Sequence, residues 1–144
     1  MQNNASVGFI PNNLRLAIVK VISYEDKNFV GYLENPFIGD IVKFSNLTQL
    51  LLGLDELADE LNCPKRTYES RRLFRADAST SLLSRLPSAD SMEKAIATFK
   101  ICIIFRQNAS WQGSCEWIEE KKGANFRSAL ELVQLMDSVL EYTK

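Results

Sequence analysis

The chain contains no histidine. That removes the commonest general base at neutral pH, the Ser-His and Cys-His nucleophile pairs, and most zinc arrangements. Cysteine is scarce: Cys63, Cys102 and Cys115 are the only three, and none stand in C-x-x-C spacing. An odd number of thiols without a secretory signal predicts reduced cysteines in a cytoplasmic protein, not a disulfide framework or a metal site. The opening residues, MQNNASVGFIPNN, lack the basic start and long apolar core of a signal peptide. No apolar run approaches the roughly 18 residues of a membrane span, so no membrane partner is expected. P-loop, G-x-G-x-x-G and nucleophile-elbow motifs are all missing. The spacing therefore assigns no catalytic residue, no metal and no cofactor.

Charge of one sign is missing too. Seventeen Lys and Arg oppose eighteen Asp and Glu, a net charge of −1, so no global field attracts nucleic acid or a membrane surface. The distribution is uneven. Residues 1–62 hold four basic and eight acidic groups, and residues 63–93 hold six basic and four acidic.

What is present is an ordinary globular composition, 46% apolar and 24% charged over 144 residues, enough for one domain with its own core. Residues 1–13 read as a flexible tail and 14–144 as a single domain. Leu14 to Tyr24 is rich in β-formers, with Ala17, Val19, Val21 and Ser23 on one face. Asp26-Lys27-Asn28 reads as a turn, Phe29 to Glu34 as the returning strand, and Ile41 to Phe44 as a third strand. The expected register sets Val19 opposite Leu33, Val21 opposite Gly31 and Ser23 opposite Phe29. A helix follows from about Asn46 to Asn62, its apolar stripe running through Leu47, Leu50, Leu54, Leu57 and Leu61. Its C-terminal half carries Asp55, Glu56, Asp59 and Glu60, which opposes the helix dipole and predicts a basic group nearby.

The same plan recurs from residue 94. Sliding the chain by 82 positions aligns Ile22 with Ile104, Gly31 with Gly113, Glu34 with Glu116, Phe44 with Phe126, Leu50 with Leu132 and Asp55 with Asp137. Two capping boxes, Asn46-x-x-Gln49 and Ser128-x-x-Glu131, align under the same shift. The turns of the second unit read as Gln107-Asn108-Ala109 and Lys121-Lys122-Gly123, and its helix as Ser128 to Tyr142. The expected fold class is α+β: two tandem βββα repeats, 14–62 and 94–144, in a mostly antiparallel arrangement with both helices on one face. The outer face is expected to carry Lys20, Lys100, Cys102, Ile104, Arg106, Gln112, Ser114 and Glu116. Whether the repeats share one sheet stays open.

Two stretches offer binding chemistry. The connection 63–93 holds Lys65, Arg66, Arg71, Arg72 and Arg75 against Glu69, with Tyr68 and Phe74 interleaved. It could grip phosphates or an acidic partner, or fold back on the acidic end of the first helix. Thr80 to Leu86 within it reads as a short helix ended by Pro87. The second stretch is the hairpin RQNASWQG, where Arg106, Gln107, Asn108, Trp111 and Gln112 place donors, acceptors and an aromatic together. The plainer expectation there is Asn108 in the turn, Trp111 over the core and Arg106 in solvent. Glu34 and Glu116 read either as a carboxylate pair across a pseudo-dyad or as outward residues paired with lysines. Cys102 and Cys115 are expected on opposite faces of one hairpin.

The segment FRQNASWQGSCEWIEEKKGANFRSALELVQLMDSVL resembles a family of small uncharacterised bacterial proteins that carry an RQNASWQG hairpin followed by an FRS-LEL-LMD helix. The resemblance implies a bacterial cytoplasmic setting and a recurring fold, and no activity. Taken together, the sequence points to a non-enzymatic protein-binding or adaptor protein. Its alternatives are a nucleic-acid-binding regulator acting through 65–75 and a small-molecule site at the seam between repeats. Self-association through helix 128–142, which shows Leu130 and Leu135 off its inner stripe, is compatible with each.

Overall fold

The computed structural model describes residues 16–35, 38–61, 85–87, 94–106 and 110–143. The elements are β1 (Leu16–Glu25), β2 (Asn28–Asn35), β3 (Ile38–Phe44), α1 (Leu47–Leu61), β4 (Arg85–Pro87), β5 (Ala97–Phe105), β6 (Gln112–Trp117), β7 (Lys122–Phe126) and α2 (Ala129–Tyr142). The strands form one antiparallel sheet in the order β4-β3-β2-β1-β5-β6-β7. The protein is thus α+β, and a single sheet joins the two halves through the β1–β5 ladder.

Alternation along the strands builds the core. Val19 faces Leu33 on one side and Phe99 on the other, and Val21 faces Gly31 and Ala97. All are buried, and Leu50, Leu54 and Leu57 of α1 join the same apolar cluster as Leu132, Met136 and Leu140 of α2. Both helices therefore cover one face. Each is capped as its box predicts. The Gln49 amide donates to Asn46 Oδ1 (2.8 Å) and the Ser45 amide to Gln49 Oε1 (2.7 Å). The Glu131 amide donates to Ser128 Oγ (3.1 Å) and the Arg127 amide to Glu131 Oε1 (2.7 Å). In front of each helix a side chain holds the incoming backbone: Asn28 Nδ2 donates to the Ser45 carbonyl, and Ser110 Oγ to the Arg127 carbonyl.

The hairpin between β1 and β2 is tighter than expected. Asp26 and Lys27 alone form its loop, both with positive φ (54° and 63°), as a two-residue type I′ turn requires, and Asn28 already belongs to β2. A bulge at Ile22 then breaks the expected pairing. The register jumps from Val21↔Gly31 to Ser23↔Val30, so Tyr24, not Ser23, lies opposite Phe29 and enters the core. An equivalent bulge at Ile104 shifts β5 on β6 from Ile103↔Gly113 to Phe105↔Gln112. At both bulges a glycine is obligatory. A Cβ on Gly31 would lie 1.9 Å from the Lys20 carbonyl oxygen, and one on Gly113 2.0 Å from that of Cys102.

Two further expectations are corrected. Arg85-Leu86-Pro87 is a strand and not the end of a helix; it pairs with β3 at Val42, Ile41 and Asp40. Proline is tolerated there because the strand lies at the end of the sheet order, where a missing N–H costs no interior ladder bond. In the second half, Lys122 and Gly123 are strand residues of β7, and the turn before them ends at Lys121, whose φ is 54°.

Candidate functional site

Of the described hairpin residues, Arg106 and Trp111 are buried and Gln112 is exposed. The bulge at Ile104 turns Arg106 to the inner face, where its side chain is 0% exposed, contrary to its expected place on the outer face in solvent. Its Nη1 donates to Asp59 Oδ1 (2.8 Å) and Asp55 Oδ1 (3.1 Å) on α1. Arg106 is thus the cation that the acidic half of α1 calls for. Trp111 is buried in the core as expected, and Gln112 is exposed. Gln107 and Asn108 lie outside the described residues, as do Lys65, Arg66, Arg71, Arg72 and Arg75, and with them both the nucleic-acid reading and the fold-back of the connection.

The matching position in the first half is Tyr24, 82 residues before Arg106. Its hydroxyl donates to Asp137 on α2, the counterpart of Asp55. Lys27 Nζ sits 2.8 Å from Asp137 and 2.9 Å from Glu141, the counterpart of Asp59. Burial first, and then the bond to Asp137, push the Tyr24 phenol up to about 12. Each half therefore ties its first hairpin to the helix of the other.

Glu34 and Glu116 are each taken by a lysine of the neighbouring strand, Lys20 at 3.5 Å and Lys100 at 3.1 Å. They are outward strand residues, not a proton-sharing pair. Cys102 and Cys115 lie on opposite faces, as expected. Burial pushes the Cys115 thiol up to about 12, so it stays protonated and unreactive at neutral pH. Among the described residues no three His, Cys, Asp or Glu side chains cluster as metal ligands, and no helix is long and apolar enough to cross a membrane.

The site the sequence did not single out is a cavity of about 370 Å³ between the C-terminal half of α2 and strands β5 to β7. Phe99, Trp117, Ala124, Leu135, Val139 and Tyr142 line most of it, and Lys122 and Ser138 add polar atoms. Tyr142 is 78% exposed and meets Trp117 edge-on, ring centroids 5.9 Å apart. Among the described residues no acceptor meets the buried Trp117 indole N–H, which is a cost for a group that normally finds a partner.

β3 and β7 differ at the positions that the 82-residue shift sets together. Positions 41 and 42 of β3 are Ile and Val, both buried; the corresponding positions of β7 are Gly123 and Ala124, both exposed. β4 covers the outer edge of β3, whereas among the described residues no strand lies on the outer edge of β7. The signal was in the sequence: the 82-residue shift sets Gly-Ala against Ile-Val.

Comparison of the chain with protein-family models, curated proteins and solved structures finds no match.

Proposed function

We propose that this is a non-enzymatic protein-binding or adaptor module that takes its partner at the cavity beside α2. The observation that carries the reading is Trp117. Its ring lines an open cavity and meets exposed Tyr142 edge-on, a combination suited to a guest that brings apolar surface. Exposed Tyr142 carries the apolar lining out to the end of the same helix. Placing a photo-cross-linking phenylalanine analogue at Tyr142, with Lys43 on β3 as control, tests it in cell extract. Covalent protein adducts specific to position 142 are expected; equal adducts at both positions, or none, would remove the reading.

The same proposal takes the chain to be a tandem duplication of a βββα unit. Four things support it: the ladder Val21↔Gly31 with its counterpart Ile103↔Gly113, the matched bulges, the matched caps, and the exchanged ties to Asp55 and Asp137. The 82-residue shift also maps the β1–β5 ladder onto itself about the pair Ile18↔Lys100. Membership of the bacterial family with the RQNASWQG hairpin, and a cytoplasmic setting, belong to this reading as well.

A further inference from the structure

We infer that the outer edge of β7 receives an extended, acidic segment of a partner protein as an eighth strand, with an apolar side chain of that segment seated in the cavity under α2. The inference rests on the protein-binding reading and names the chemistry of the partner.

The protein already shows the arrangement once. β4 adds to β3 through Asp40↔Pro87, Ile41↔Leu86 and Val42↔Arg85. The corresponding positions of β7, 82 residues on, are Lys122, Gly123 and Ala124. These three and Asn125 are exposed. An edge strand of small residues lets another backbone approach closely and offers a row of amide and carbonyl groups for a ladder. Because side chains alternate across a strand, every second residue of such a guest faces the helix side, next to Ala124 and the cavity.

Charge selects among occupants. Residues 121–127 hold Lys121, Lys122 and Arg127 and no acid. Glu131 takes Arg127 at 2.6 Å, while Lys121 and Lys122 are exposed and Lys122 lines the cavity. An acidic guest fits this edge. A second copy of the chain does not: its own 121–127 edge holds three cations and no acid, so two β7 edges bring nothing to meet the lysines. The chain's own residues 1–13 carry no charged side chain to meet the lysines, and residues 63–93 carry six basic groups against four acidic ones.

The test is fluorescence anisotropy of the full chain with a labelled six-residue peptide alternating glutamate with valine and leucine. Two further probes isolate the terms: one with lysine for glutamate, and one N-methylated at alternate residues, which keeps the side chains and removes ladder donors. The acidic probe should bind at least about tenfold more tightly than either. Ala124→Leu, which fills the cavity from an exposed position, and Lys122→Glu should each weaken it about tenfold with unchanged thermal melts. Equal binding of the methylated probe, equal binding of the lysine probe, or no binding of the acidic probe would overturn the inference. So would a dimer in light scattering that Ala124→Leu dissociates, because a second copy would then hold the edge. If the peptide arms fail while cross-links at position 142 persist, the partner binds there without adding a strand; if both fail, the protein-binding reading falls with it.

Discussion

Arg106, at the end of the second half's first strand, is bound to Asp55 of the first half's helix, 3.1 Å away. Its counterpart Tyr24 makes the reverse tie to Asp137, so the two halves are laced together by an exchange of partners. The two ties differ in chemistry: one is a buried guanidinium between two carboxylates, the other a phenol with a lysine beside it.

That difference predicts unequal costs. Arg106→Met should destabilise by about 3 kcal/mol, because it removes the buried partner of two carboxylates. Asp59 is half exposed, so Asp59→Asn should cost only about 1 kcal/mol. Urea unfolding of the single and double variants checks this, and coupling of about 1–2 kcal/mol is expected. An Arg106→Met variant as stable as the parent would show that the tie contributes nothing.

The bulge glycines should be intolerant of any side chain. In Gly31→Ala and Gly113→Ala the new Cβ meets a backbone oxygen at 1.9 and 2.0 Å, which only backbone movement relieves. A loss of about 3 kcal/mol or more is expected for each. Gly123→Ala meets the Cys115 oxygen at 3.0 Å and should cost about 1 kcal/mol. Denaturant midpoints that fail to rank Gly31 and Gly113 above Gly123 would contradict the bulge geometry.

Both caps should be worth similar amounts. Asn46→Ala and Ser128→Ala each remove the acceptor for an N-terminal amide, a loss of about 1 kcal/mol, while Ser128→Asp should retain stability. At acid pH the second cap weakens further. Glu131 is held below its ordinary value, first by the hydrogen bond from Arg127, so its contribution is present above that value and lost as pH falls through the lowered one. Circular-dichroism melts of Glu131→Gln should show less acid sensitivity than the parent.

Alkaline pH should destabilise the fold. Cys115 is raised from 9.0 to about 12 by burial, and Tyr24 from 10.0 to about 12 by burial and by Asp137. Lys27 is raised as well by its bonds to Asp137 and Glu141. A raised folded value means stability is complete below the unfolded value and declines above it, here from about pH 9 to pH 12. Unfolding midpoints at neutral pH and about pH 11 measure the decline, which a Tyr24→Phe, Cys115→Ala double variant should blunt. A parent midpoint unchanged at about pH 11 would speak against both assignments.

Much of the fold was legible because hydrophobic period and capping are local signals. Val19 opposite Leu33, Val21 opposite Gly31, the helix stripes and both caps follow from short-range pattern alone. The faces of Tyr24 and Arg106 did not, because one bulged residue reverses every side chain beyond it. The glycines opposite the bulges were the available hint. β4 was misread because TSLLSRL has helical spacing, while its docking on β3 depends on an edge that only the assembled sheet presents. The cavity escaped because Gly123 and Ala124 in its lining are a difference between the halves, and alignment of the halves rewards likeness.

The sheet finishes differently at its two ends. One end is a three-residue strand whose last member, Pro87, has no N–H to give. The other is β7, five residues long and largely exposed. A sheet with two open ends can add strands without limit, which is the route to fibres. Among the described residues one end is closed by a proline-ended strand and the other carries no neighbour, so a further strand adds at β7 and not at both ends.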